Sequence, residues 1–329
     1  MFDGSAAARI RHAVRWARGV GAVLLFLLSV QLLKSAIGDL APHLQPILSR
    51  LVQSDLSALG VSWLAAYVLL NGSVVAALAL TLFNASLVST SQLTLMVFGS
   101  RLGAAAIVLL IGVFDFVQRR RLTVRKATEL GVITFLVTHT IGLPAAVVGA
   151  LWGRAAPLGW IPEGARGSVR RLRMPSLIEG AVHTVVGHVG PLLGVIGAVL
   201  LLVGSLRLFG AVFEEDDVDR IRTRARALLS NRWAAFGIGI GGTALTTSVA
   251  FSLGVIVPIY NRGYLQRAEV TPYILGANIG TLLDTLLISL FVEVAGGFEV
   301  SILVMAATAL VSLPALLFLR VYQAGLDAV

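Results

Sequence analysis

Cysteine is absent from this chain of 329 residues, and charged residues are scarce. The missing cysteine excludes disulfides, cysteine-ligated metal sites and thiol catalysis. Only 13% of the residues are charged, whereas a soluble domain usually has about 25%. With 57% apolar residues and a mean hydropathy of +0.89, the chain has more apolar surface than a soluble core of this length would bury. Because apolar runs of about 20 residues recur along it, the sequence predicts an all-α polytopic membrane protein.

The charge that is present is one-sided. There are 26 basic residues, nearly all Arg, against 17 acidic residues, which gives a net charge of +9. A basic protein can bind nucleic acid, but here the Arg residues form short clusters between apolar runs, which is typical of residues that fix membrane topology. We therefore expect no nucleic-acid partner. The cluster at 9–18 precedes an apolar run without a small-residue cleavage motif, so we expect an uncleaved first span.

Eight apolar segments organise the chain. They are 19–38, 60–88, 92–115, 131–152, 189–212, 233–260, 270–295 and 299–321, with amphipathic pieces at 41–58 and 214–232. The polar stretch between the fourth and fifth segments holds three prolines, which are typical of a loop. We divide the chain into a basic cytoplasmic N-terminus (1–18), a first membrane repeat (19–152), a polar connector (153–188) and a second membrane repeat (189–329).

The order of features is the same in both membrane repeats. Each has a span, an amphipathic helix, an apolar segment with small polar residues, a short polar turn and another apolar segment, and the copies start about 170 residues apart. Asp55-Leu-Ser-Ala-Leu-Gly lies beside Arg232-Trp-Ala-Ala-Phe-Gly, and Gly99-Ser-Arg-Leu-Gly-Ala lies beside Gly276-Ala-Asn-Ile-Gly-Thr. Weak internal repeats of this kind are typical of secondary transporters.

Three basic clusters, at 9–18, 119–126 and 220–232, indicate how the repeats are oriented, since all three should lie on the cytoplasmic side. They do so if 60–88 and 233–260 each enter the membrane and return as broken or re-entrant helices. The second repeat then starts from the opposite side to the first. We therefore expect inverted-topology repeats with both termini in the cytoplasm, and the polar connector, with its five Arg, outside.

Small polar residues interrupt two of the apolar segments. In the first repeat the interruption is Asn71-Gly72-Ser73, and in the second a glycine run at 237–242 precedes Thr243, Thr246, Thr247 and Ser248. Non-helical backbone at membrane depth is tolerated only against protein or a wet cavity. Its free backbone groups and the nearby hydroxyls can replace the water around a sodium ion or an oxyanion. The alternative is close helix packing, which also favours Gly, Ser and Thr.

The sequence Gly276-Ala-Asn-Ile-Gly-Thr281 opens the apolar run 282–292. Gly276 and Gly280 permit a close backbone approach, and Asn278 offers both a donor and an acceptor. A helix N-terminus that followed Thr281 would favour an anion. The alternative is a glycine packing seam in which Asn278 bonds a neighbouring helix.

Asp284 lies inside an apolar run, where a carboxylate is costly and is by default a functional hypothesis. Its candidate partners are a sodium ion, a proton or Arg101. Arg101 occupies in the first repeat the place that Asn278 occupies in the second. A buried structural ion pair between Arg101 and Asp284 is the alternative to a direct role in transport.

The sequence has none of the common active-site motifs of enzymes: it has no Ser-His-Asp pattern, P-loop or nucleophile elbow. The glycine run at 237–242 lacks the strand context and the later acidic residue of a dinucleotide loop. His183 and His188 are five apart and do not share a helical face, so we expect no metal site beyond a sodium ion. We expect no enzyme activity and no cofactor other than sodium as the coupling ion.

The chain resembles the sodium–phosphate cotransporter family, that is, the type II cotransporters and their bacterial relatives. Repeats of that family carry a Thr-Ala-x-x-Gln-Ser-Ser-Ser segment and a Gly-Ala-Asn-Ile-Gly-Thr-Thr segment. In the second repeat, 243–248 and 276–281 are similar to these two segments, and in the first repeat 69–73 and 91–103 are. The resemblance covers about 19–115 and 189–292.

The resemblance implies a multi-pass protein of the bacterial cytoplasmic membrane that carries phosphate, or another small anion, together with sodium across the lipid bilayer. The paired segments would form the substrate and ion site, from Asn71, Gly72, Ser73, Thr247 and Ser248, with Gly276, Asn278, Gly280 and Thr281 nearby. We expect Asp284 to bind the coupling cation. We also expect Arg101 to contact the anion, because a guanidinium matches the fork of a phosphate.

The chain departs from the family pattern where the substrate is expected. Asn71 and Thr247 replace the two Gln residues, and one hydroxyl per repeat remains of each serine run. Two alternatives therefore stay open. One is a diverged member that moves another substrate and couples to protons. The other is a transport-inactive membrane protein that regulates or assembles with others.

Overall fold

The protein is mainly helical in the part of the chain that the structure describes. This structure is a computed structural model, and it describes residues 4–69, 71–119, 123–155, 159, 176–210, 229–246, 252–253, 256–257, 260–261, 265–292 and 295–327. No β-strand occurs in these ranges. The predicted all-α class is confirmed.

Most helices follow the predicted apolar segments, but the helix Ser176–Val189 lies within the stretch that was predicted to be a polar connector. Those of the first half are α1 (Gly4–Leu51), α2 (Asp55–Leu69), α3 (Gly72–Asn84), α4 (Thr90–Arg119) and α5 (Val124–Ala155). Those of the second half are α6 (Ser176–Val189), α7 (Pro191–Gly210), α8 (Arg232–Thr246), α9 (Arg267–Gly280), α10 (Leu282–Val292), α11 (Ala295–Leu317) and α12 (Leu319–Asp327).

Five stretches of the described residues are long and apolar enough to cross a membrane. They are Trp16–Leu51, Thr90–Leu110, Thr128–Ala155, Arg267–Leu290 and Gly296–Leu317. Large apolar side chains on the outer faces of the helices, such as Val68 and Leu200, are exposed, as is expected of surfaces that contact lipid. The chain is a multi-pass membrane protein. The predicted span at 189–212 forms α7. Its apolar part, Pro191–Ser205, is shorter than the five candidate spans.

The first helix differs from its prediction, which placed a separate amphipathic piece at 41–58. Instead α1 continues through Pro42 and Pro46 to Leu51. The boundary lies later because Ser54 and Ser57 cap the next helix: the Ser54 N–H donates to Ser57 Oγ over 2.9 Å, and the Ser57 N–H donates to Ser54 Oγ over 3.2 Å. The predicted piece is therefore shared between α1 and α2.

The first of the two predicted helix breaks is present. Between α2 and α3 the chain leaves the helical path at Asn71, whose backbone is extended with φ of −156° and ψ of 107°. In the second repeat α8 ends at Thr246, and the predicted site residues Thr247 and Ser248 lie outside the described residues.

The two repeats pack their helices in the same way. Gly99 and Gly103 of α4 lie against the carbonyl groups of Leu59 and Trp63 of α2, at the closest approach of the two helices. Gly276 and Gly280 of α9 lie in the same manner against the carbonyl groups of Phe236 and Ile240 of α8. Each residue of the second set is numbered 177 above its counterpart in the first, as 276 is to 99, so the repeat found in the sequence has a structural counterpart. The inverted orientation of the repeats stays a prediction.

Two apolar clusters fill the interior, and they meet halfway along two helices. In α4, Leu102 belongs to the first cluster and Val108 to the second. Along the span formed by α9 and α10, Ile279 belongs to the second cluster and Leu282 to the first. The polar residues singled out in the sequence lie near this junction.

Candidate functional site

A buried ion pair joins the two repeats at the junction of the apolar clusters. The Nη2 of Arg101, on α4, lies 2.7 Å from the Oδ1 of Asp284, on α10, and Nη1 donates to Oδ2 over 3.3 Å. The side chain of Arg101 is 9% exposed and that of Asp284 is fully buried. The guanidinium thus meets both carboxylate oxygens, an arrangement that is stronger and more specific than a single contact.

Three hydroxyl groups complete this cluster. Arg101 Nη1 donates to Thr281 Oγ1 over 2.9 Å, and Nη2 donates to Thr285 Oγ1. Thr285 Oγ1 also lies within 3.0 Å of Asp284 Oδ1. From the first repeat, Ser73 Oγ donates to Asp284 Oδ2. We call these five side chains, Ser73, Arg101, Thr281, Asp284 and Thr285, the polar cluster.

The break before α3 places Ser73 in the polar cluster. The side-chain oxygen of Asn71 accepts hydrogen bonds from the N–H groups of Ser73, over 3.0 Å, and Val74, over 3.2 Å, and so caps the helix. Gly72 lets α3 approach α4, because a Cβ at this position would lie 2.5 Å from the carbonyl oxygen of Ser100. The three residues of the predicted break therefore have distinct local roles: a cap, a close contact and a hydrogen bond to Asp284.

Removal of the cap should loosen the break. We expect Asn71→Ala to lower the free energy of unfolding by about 1 kcal/mol, because two amides at the start of α3 lose their acceptor. Asn71→Ser keeps a capping oxygen and should recover most of this loss. Thermal unfolding of the purified protein measures both variants. Equal stability of Asn71→Ala and the wild-type protein would show that the cap does not hold the break.

The expected anion cradle at Gly276–Thr281 stays a prediction. A helix does follow the motif, since α10 begins at Leu282. Thr281 itself has helical dihedral angles, φ −66° and ψ −21°, and its N–H donates to the Ala277 carbonyl over 3.0 Å, so this amide is already paired. Gly276 and Gly280 serve the packing seam against α8, which was the alternative interpretation.

Asn278 lies apart from the polar cluster. Its side-chain oxygen accepts a hydrogen bond from Thr138 Oγ1, on α5, over 3.0 Å. Its Nδ2 is buried and has no hydrogen-bond partner among the residues that the structure describes. Asn278 thus bonds a neighbouring helix, as the packing alternative predicts.

Two polar residues in this region were missed in the sequence. Thr285 contacts both members of the ion pair, and Thr138 holds Asn278. A helical pattern could have indicated Thr285, since residues three and four positions apart share a face and Thr281, Asp284 and Thr285 have that spacing. Nothing comparable marks Thr138, because its partner is 140 residues away.

The polar cluster is neutral overall and closed in this structure. Arg101 faces Asp284, and the Arg101 Nε is buried without a hydrogen-bond partner within the described ranges. The structure thus contains the buried ion pair that the sequence offered as an alternative to an anion contact. Its chemistry is that of an oxygen-lined site for one positive charge, which the guanidinium occupies.

Comparison with known proteins supports the resemblance seen in the sequence. Residues 200–325, which are most of the second repeat, match the model of a protein family described as Na+/Pi-cotransporter. No curated protein and no solved structure matches the chain. The match includes Asn278, Thr281, Asp284 and Thr285, and thus the second repeat's share of the polar cluster. The match covers less than half of the chain, and by it residues 200–325 are similar to a family of transporters, the sodium–phosphate cotransporters.

Proposed function

We propose that the protein is a secondary active transporter that moves phosphate, a small oxyanion, across the membrane together with sodium ions. The observation that carries this proposal is the match of residues 200–325 to the Na+/Pi-cotransporter family. A polar cluster buried between two structurally equivalent packing units supports it, because secondary transporters place their sites at the interface of internal repeats. We propose no enzyme activity and no cofactor beyond the coupling ion.

We propose that the break between α2 and α3 forms part of the substrate site. Family resemblance assigns Asn71, Gly72 and Ser73 to this site, and Thr247 and Ser248 to its counterpart in the second repeat. Hydroxyls and backbone groups at a helix break can replace the water around an ion in the membrane. Ser73 donates to Asp284, so the break is in direct contact with the only carboxylate of the polar cluster.

Asp284 is our candidate for the residue that binds positive charge during transport. A buried carboxylate in a membrane needs a cationic partner, and the hydroxyls of Ser73 and Thr285 lie beside it. We further propose that the repeats are inverted and that both termini are cytoplasmic, since this orientation puts the three Arg clusters on one side. Alternating access would then tilt one repeat against the other around the polar cluster.

Uptake of labelled phosphate into proteoliposomes tests this function. We expect phosphate to accumulate when an inward sodium gradient is imposed and not when choline replaces sodium. Liposomes without protein, and proteoliposomes with sodium equal on both sides, are the controls. Absence of sodium-driven uptake by folded, inserted protein would contradict sodium–phosphate symport.

Two other outcomes have specific support in the chain. Uptake of another oxyanion, or uptake driven by a proton gradient, would identify a diverged transporter and would fit the changed residues Asn71 and Thr247. A lack of transport under every gradient would favour a regulatory or assembly protein. The closed Arg101–Asp284 pair supports this second alternative, because it leaves neither charge open to a ligand in this structure.

A further inference from the structure

Oxygen atoms of the second repeat surround the terminal nitrogens of the Arg101 guanidinium. Four oxygen atoms contact its terminal nitrogens: Thr281 Oγ1 at 2.9 Å, Asp284 Oδ1 at 2.7 Å, Asp284 Oδ2 at 3.3 Å, and Thr285 Oγ1. Carboxylate and hydroxyl oxygens are the ligands of hard cations. All four oxygens belong to Thr281, Asp284 and Thr285, which lie on one face of α10 and at its junction with α9. The backbone that carries these oxygens is therefore separate from the helix that carries Arg101.

The charge of the cluster argues against a second cation beside Arg101. One guanidinium and one carboxylate cancel, and the pair is almost completely buried. A sodium ion added to the same oxygens would leave an uncompensated positive charge where water is excluded, and it would compete with Arg101 for Asp284. The cluster therefore holds either the guanidinium or a metal cation, but not both.

The guanidinium belongs to one repeat only. The position equivalent to Arg101, 177 residues later, is Asn278, which is neutral and shorter. Asn278 contacts Thr138 and leaves the oxygens around Asp284 to Arg101. Replacement of Arg101 by Asn would give both repeats the same residue and would leave the oxygens of Thr281, Asp284 and Thr285 without their cation.

We propose that the guanidinium of Arg101 permanently occupies a sodium-type site formed by Thr281, Asp284 and Thr285, so that Asp284 binds a tethered cation in place of a sodium ion. This inference rests on the proposed function, and it replaces our assignment of Asp284, whose cation is then Arg101 and not the coupling ion. In the wild-type protein any coupling sodium then binds elsewhere. The protein would bind one sodium ion fewer than a variant in which Arg101 is neutral.

Sodium-dependent thermal stability tests this inference on the purified full chain. The unfolding midpoint is measured in sodium chloride and in choline chloride at equal ionic strength. We expect Arg101→Asn to gain a rise of about 3 °C or more in sodium beyond any rise shown by the wild-type protein, since a ligand of the folded state stabilises it. Arg101→Lys, which keeps a cation in the cluster, should respond as the wild type does. Arg101→Asn with no added response would overturn the inference.

The double variant Arg101→Asn/Asp284→Asn is the matched control. It lacks the carboxylate, so we expect the added sodium response to disappear while the wild-type response remains. If the double variant instead loses a sodium response that the wild-type protein has, then Asp284 binds sodium in the wild type and the inference is wrong.

Instability of Arg101→Asn also gives an answer. If the inference holds, sodium should increase the yield of folded Arg101→Asn over that obtained in choline, since the ion fills the emptied site. Equal yields would count against it. These measurements need no transport: failure of the proposed function appears as missing phosphate uptake by the wild-type protein, whereas failure of this inference appears in the sodium responses of the variants.

Discussion

Asp284→Asn is expected to lower the free energy of unfolding by about 3–5 kcal/mol, and so is Arg101→Asn when sodium is absent. Each single substitution leaves the partner buried as an uncompensated charge, because the side chain of Arg101 is only 9% exposed and that of Asp284 is 0% exposed. The loss would be large relative to the whole stability of a folded protein, which is typically about 5–15 kcal/mol. We therefore expect poor recovery of both single variants.

The double variant Arg101→Asn/Asp284→Asn should be more stable than either single variant. It removes both charges, so neither is left uncompensated in the membrane interior. A double-mutant cycle measured by thermal or denaturant unfolding in choline salts gives the coupling energy between the two residues. Additive effects of the two substitutions would show that the pair is not coupled.

The ion pair between Arg154 and Asp55 provides the matched surface control. These side chains are 69% and 29% exposed, and the two atoms are 3.2 Å apart. Because solvent screens such a pair, we expect its coupling energy to be about 0–1 kcal/mol. The contrast between the two cycles tests whether burial, and not the mere presence of opposite charges, makes the Arg101–Asp284 pair strong.

Much of the fold could be predicted from the sequence, because the bilayer imposes a simple rule. A span needs about 20 apolar residues, so hydropathy places both ends of α4 and α11 within about four residues. The break at Asn71 was also predictable, since Asn is a favoured N-cap residue and Gly72 is a poor helix former. The division between α1 and α2 was not predictable to the same degree, because it depends on reciprocal capping between Ser54 and Ser57.

The polar cluster was predictable in part. An Arg and an Asp within apolar segments each need a partner of opposite charge. The pairing of Arg101 with Asp284 could therefore be predicted from the sequence. The geometry of the Gly276–Thr281 motif could not be predicted from the sequence. Gly residues permit both a tight loop and a close helix contact, and only the tertiary packing of α9 on α8 selects the second.

The repeated glycine seams lead to the second large expected effect. We expect Gly276→Ala and Gly99→Ala each to lower the free energy of unfolding by about 1–3 kcal/mol, the usual cost of overpacking. An added Cβ would meet the carbonyl oxygen of Phe236 in one case and of Leu59 in the other. A backbone carbonyl cannot rotate away as a side chain can, so α8 or α2 would have to move.

Gly237 and Gly241 of α8 are the matched controls, because nothing lies within 4 Å of a Cβ added at either position. We expect Ala there to be neutral, or to stabilise by up to about 1 kcal/mol, since Ala is the better helix former. Thermal unfolding compares all four variants. If both seam variants lose stability by similar amounts and the controls do not, then residues 177 apart perform the same task and the two repeats are equivalent in energy as well as in sequence. A loss confined to one seam would mean that the repeats have diverged in how they hold their helices together.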